Sequence, residues 1–165
     1  MTGNPTKTIA ILGLLSILLV ACQSSQERLE EMAEGLPLPA ETVLIASQIE
    51  PGGGSQDTCI FLHLNQLYAS DLSFEEIRGF YGTQLQNDGW TQISLSWLSE
   101  DYPLFRIDDE YQLAIGPATT SAIEYTFGGI DGVDIERLES YNTVYTVTVT
   151  YATWIAQREC PFPEG

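Results

Sequence analysis

One helix signature stands among segments that alternate residue by residue, and that mixture restricts the chain to few architectures. Ser73 is followed three positions later by Glu76, the spacing at which the two side chains reciprocally satisfy free N–H groups of a helix start. Leu72 is placed to pack on Ile77. Phe74, Ile77, Tyr81 and Leu85, with Phe80 beside them, form an apolar stripe, and Asn87-Asp88-Gly89 supplies a stop. This predicts a helix over about 73–87. Asp71, Glu75 and Glu76 lie at its positive end, where acids are favoured without any catalytic role.

The segments around it read as strands. Residues 42–46 are an apolar β-branched run broken by Pro51-Gly52-Gly53-Gly54, which lacks the Lys and the helix start of a phosphate-binding loop. In 58–68, Ile60, Leu62, Leu64 and Tyr68 share one parity and Cys59, Phe61, His63 and Asn65 the other, so both faces are expected to be partly covered. Thr91, Ile93, Leu95 and Trp97 alternate with polar residues. Residues 104–107 and 111–115 flank Asp108-Asp109-Glu110 as a hairpin flanks its tip. Residues 121–127 are read as an edge strand, and 128–140 as an irregular stretch with one helical turn around 134–139. Residues 142–155 form the longest strand. There Tyr145, Val147, Val149 and Tyr151 face the helix, and Thr146, Thr148 and Thr150 face water. The order predicts an α+β fold, an antiparallel β-sheet with one main covering α-helix.

Charge excludes several partners. The 165 residues carry 6 Lys plus Arg against 23 Asp plus Glu, a formal net charge of −17. A surface of this sign repels phosphate backbones and anionic headgroups, so nucleic acid is not an expected partner. Its plain consequence is solubility.

The N-terminus has the three regions of a secretory signal: polar residues 1–7 with Lys7, an apolar stretch, and small Ala21 at the cleavage position. From Thr8 to Ala21 there are 14 residues, against the ~20 needed to cross a bilayer as a helix. Leu19-Val20-Ala21-Cys22 resembles the lipobox of bacterial lipoproteins. The resemblance implies that residues 1–21 are removed and that Cys22 receives a diacylglyceryl group. It also implies that the rest is held, outside the cytoplasm, on the cell membrane or outer membrane through lipid on Cys22. Gln23, rather than the Asp that signals inner-membrane retention in that family, implies outward sorting in a two-membrane host. Cleavage removes Lys7 and no acid, leaving five Arg against 23 acids, formally −18. Residues 22–38, rich in Gln, Ser and Glu, are expected to be an acidic tether, with room for a short frayed helix ended by Gly35, and 39–165 the α+β domain.

With Cys22 assigned to lipid, Cys59 and Cys160 remain as disulfide candidates in an oxidising compartment. A bridge would close a loop of about 100 residues, worth up to ~4.7 kcal/mol in the chain-entropy view. Spacing alone leaves two free thiols as the alternative.

A second resemblance rests on Tyr68-Ala69-Ser70-Asp71-Leu72-Ser73-Phe74-Glu75-Glu76-Ile77, then Phe80-Tyr81, Leu85 and Gly89-Trp90. The run is similar to a segment of uncharacterised bacterial secreted proteins and lipoproteins: a strand ending in Tyr, a Ser-capped helix, and Gly-Trp opening another strand. It implies a fold and no activity.

The catalytic inventory is poor. No Gly-x-Ser-x-Gly elbow exists, and His63, the one histidine, has no nucleophile or metal-ligand partner at a recognisable spacing. Asp131-Gly132-Val133-Asp134-Ile135-Glu136 lacks the ligand order of a helix-loop-helix calcium site and reads as a turn with solvated acids. Neither a metal nor a cofactor is expected. The expected function is therefore that of a lipid-anchored, non-catalytic envelope lipoprotein with a protein-interaction or structural domain. The alternative is a small-ligand or cation-binding module, using the Trp and Tyr residues and the excess of acids at the cell surface.

Overall fold

The computed structural model describes residues 24–52, 60–94, 102–108, 110–128, 130 and 133–153. The expected signal peptide, Cys22, Cys59 and Cys160 lie outside the described residues, as do Leu95, Trp97, Asp109, Asp131 and Gly132.

The elements in chain order are α1 (Ser25–Glu34), β1 (Thr42–Gly52), β2 (Ile60–Ser70), α2 (Phe74–Asn87), β3 (Thr91–Ile93), β4 (Leu104–Ile107), β5 (Tyr111–Pro117), α3 (Thr120–Phe127), α4 (Ile135–Leu138) and β6 (Thr143–Thr153). All six strands join one sheet in the order β1-β2-β6-β5-β4-β3, every neighbour antiparallel. The fold is α+β. The last strand is central: β6 pairs with β2 from Ile60↔Thr153 to Ser70↔Thr143 and with β5 from Tyr111↔Tyr151 to Pro117↔Tyr145.

The helix expected over about 73–87 is α2. The Ser73 side chain accepts from the Glu76 N–H, the Glu76 carboxylate accepts from the Ser73 N–H at 2.9 Å, and Gly89 at φ +91° turns the chain out of the helix. The Ser73 hydroxyl, donating to the Glu76 carboxylate at 2.6 Å, and then the Ser73 N–H hold that carboxyl below its usual range. Ile77, Tyr81 and Leu85 are fully buried against the face of the sheet that carries Tyr68, Leu113, Tyr145, Val147 and Val149. Parity of two on the strands and a 3–4 spacing on the helix thus meet in one core, as the alternation of β6 requires.

Two regions depart from expectation. Residues 25–34, expected as a tether with at most a short frayed helix ended by Gly35, form the docked helix α1, which Gly35 does end and whose capping box repeats the pattern of α2 with Ser24 and Glu27. Leu29 is fully buried and Ala33 nearly so, in the same core as α2. Burying one leucine side chain contributes about 1.5–3 kcal/mol, enough to outweigh the weak propensity of a short polar helix. Residues 121–127, expected as an edge strand, are part of helix α3. The Thr119 side chain accepts from the Ala122 N–H, Gly128 ends the helix, and Ile123 and Phe127, one turn apart, are its buried stripe. The turn expected around 134–139 is α4, capped by the Asp134 carboxylate.

α3 and α4 cover part of the opposite face of the sheet, where Ile123, Phe127 and Leu138 pack on Ala46, Leu67 and Ala69. That face had been expected to be wet at its threonines. Thr146, Thr148 and Thr150 are instead half-buried, each joined to a neighbour by a hydrogen bond. No helix among the described residues is long and apolar enough to cross a membrane.

Candidate functional site

The space between α2 and the sheet is filled. Tyr68 stacks on Tyr145 at 5.4 Å between ring centroids, and Tyr81 meets Tyr145 edge-on at 6.4 Å. Burial pushes the Tyr68 phenol up to about 12 and raises those of Tyr81 and Tyr145. The hydroxyls of Tyr81 and Tyr145 are buried close to one another, yet neither closes a well-formed hydrogen bond with a described residue. These phenols are packing groups.

The half-covered face carries a row of polar side chains. His63 Nδ1 lies 2.9 Å from Thr150 Oγ1, Asn65 donates to Glu50 at 2.7 Å, and Thr148 donates to Asn65 at 2.8 Å. Register creates the row: Glu50 pairs with His63 and His63 with Thr150, while Asn65 pairs with Thr148. Burial lowers the proton affinity of His63 below its usual 6.5, and the Glu50 carboxylate partly offsets this. The ring lies across Gly52, where any Cβ would overlap its Nε2 and Cδ2. His63 is thereby placed as a packed, hydrogen-bonded residue. Among the described residues, no three His, Cys, Asp or Glu side chains are grouped as metal ligands.

Among the described residues, three clefts lie on the flanks of α1 and β1. One of about 600 Å³ lies beside the C-terminal turn of α1, with Trp90 and Tyr111 as its aromatic floor and Arg28, Glu31 and Asp88 as its charged lining. The floor rings are only 5% and 9% exposed, so a ligand there would touch ring edges. A second, of about 430 Å³, runs between α1 and β1, with Glu30 and Glu34 on the helix side and Leu44, Ser47 and Ile49 on the strand side. A third, of about 210 Å³, lies between β1 and α4 and is lined by Val43, Ile45, Arg137, Leu138 and Tyr141, with Leu44 shared between the second and third.

β1 separates these last two clefts and is an edge strand of the sheet. Leu38, Val43 and Leu44, near its start, are each 48% exposed, Val43 and Leu44 on opposite faces of the strand. The β-branched run at 42–46 was legible as a strand. Its position at the edge was not, because that depends on pairing with β2 and on no other described strand pairing beyond it. Of the residues singled out in the sequence, His63 and Thr150 are brought together across β2 and β6, a pairing that sequence spacing does not show. The chain matches no protein-family model, no curated protein and no solved structure.

Proposed function

We propose that this chain is a lipid-anchored, non-catalytic envelope lipoprotein whose α+β domain is a protein-interaction module held at the membrane by acylated Cys22. The observation that carries the interaction reading is the apolar, exposed start of edge strand β1, at Leu38, Val43 and Leu44, on a protein whose charge otherwise keeps its surface wet. The resemblance of Leu19-Val20-Ala21-Cys22 to a lipobox carries the anchor.

Photo-crosslinking in bacterial cells tests the interaction reading. A crosslinker at Leu44 is expected to yield discrete adducts with another envelope protein, whereas one at exposed Gln86 on α2 is expected to yield none. Adducts from neither position contradict the reading.

A second reading, a small-ligand module, draws on the cleft floored by Trp90 and Tyr111. It requires a bound solute to change Trp90 emission, and Tyr111→Ala to remove that response.

A further inference from the structure

The two clefts on either side of β1 have a joint geometry that neither has alone. Side chains of an extended chain alternate between the faces of a sheet. Among the described strands β1 has no partner on its outer edge, and on either side of the register irregularity at Leu44–Ala46 a segment paired there would send every second side chain toward α1 and the intervening ones toward α4, where the clefts of about 430 Å³ and 210 Å³ lie. Strand addition of this kind takes its affinity from main-chain hydrogen bonds and its selectivity from pockets for alternate side chains.

The chemistry of the larger cleft selects the occupant. Glu30 and Glu34 stand on its helix wall, and no Lys or Arg is among the described residues lining it. Gln66, on β2 opposite Ser47, is 8% exposed and lines the same cleft, and its buried Oε1 has no hydrogen-bond partner among the described residues. A buried acceptor without a donor costs about 1–3 kcal/mol, so a donor supplied from the cleft would relieve it. Two carboxylates and one amide oxygen form an acceptor set that suits an ammonium or guanidinium group. The smaller cleft is mixed, with Asp134 and Arg137 beside Val43 and Leu138, and suits neutral side chains.

We propose that edge strand β1 binds an extended segment of another protein, with Lys or Arg at alternate positions facing Glu30, Glu34 and Gln66 and neutral residues between them facing α4. This rests on the reading of the domain as an interaction module and adds the site and the chemistry of the partner. A second copy of the chain fits poorly, since edge-to-edge pairing would bring together two proteins each carrying −17 and two sets of Glu30 and Glu34.

The test uses the full-length protein in a neutral detergent and labelled peptides alternating Lys with Thr or Glu with Thr. The Lys-Thr peptide is expected to bind, more weakly at high salt, and the Glu-Thr peptide is expected not to. Methylating the backbone nitrogens of the Lys-Thr peptide keeps its charge and removes its ladder donors, and is expected to abolish binding. The double variant Glu30→Gln, Glu34→Gln is expected to weaken binding about fivefold, the scale of two exposed ion pairs. Equal binding of the methylated peptide, or no preference for Lys over Glu, overturns the proposal. So does a concentration-dependent dimer that Leu44→Lys dissociates. Crosslinks from Leu44 with no preference among the peptides would overturn this site chemistry and leave the interaction reading standing.

Discussion

The imidazole of His63 is held between two neighbours that act on its proton in opposite directions. Burial beneath the β1 and β6 side chains favours the neutral ring, and Glu50 favours the charged one, with burial the larger effect. Because the folded-state value is lowered, the unfolded chain takes up a proton first as pH falls. The stabilisation is complete above 6.5 and is lost as pH drops below 6.5 toward the folded value. As the one histidine of the chain, it gives a single ring Hε1 resonance to follow in a proton NMR titration. The midpoint is expected below 6.5 in the native protein. In Gly52→Ala, where the added methyl overlaps the ring and must displace it from Thr150, the midpoint is expected to move up toward 6.5. An unmoved midpoint would show that the ring does not depend on the bare backbone at Gly52.

Among the elements, α1 most changes what the chain can do. Its Leu29 sits in the core shared by α2 and the sheet, so Leu29→Ala should destabilise the whole domain by about 2–5 kcal/mol in urea unfolding, as core truncations do. A merely tethering segment would tolerate the change within about 0.5 kcal/mol. The signals for α1 were present in the sequence. Ser24 and Glu27 repeat the spacing of Ser73 and Glu76, and Leu29, Met32, Ala33 and Leu36 recur at helical intervals. They were outweighed by a composition of Gln, Ser and Glu that resembles solvated linkers. In 121–127, similarly, β-rich surroundings suggested a strand, while Thr119 as cap and the Ile123 to Phe127 interval carried the helix. α2, the β4–β5 hairpin and the facing of β6 were legible because each is written in a local period or a local cap. The strand order, and with it the clefts beside β1, was not, because it depends on residues such as Leu44 and Tyr68, or Leu64 and Val149, that meet only through long-range pairing.

At the scale of the whole molecule, the docking of α1 shortens the leash on which the domain is proposed to sit. Only Gln23 separates Cys22 from Ser24, the cap of a helix whose next turn is buried in the core. Two residues of chain span at most ~7 Å, so a lipid on Cys22 would hold the start of α1 against the headgroups and limit how the domain can turn. A strongly acidic body kept that close is repelled by anionic lipid. β1 and its clefts would then be presented to other envelope proteins from a nearly fixed height. All of this depends on the fate of one thiol. The most direct measurement is the mass of the N-terminal peptide of the protein extracted from bacterial membranes. The account predicts a peptide that begins at Cys22 and carries a diacylglyceryl group on sulfur, and an intact Met1 terminus with an unmodified Cys22 would contradict it.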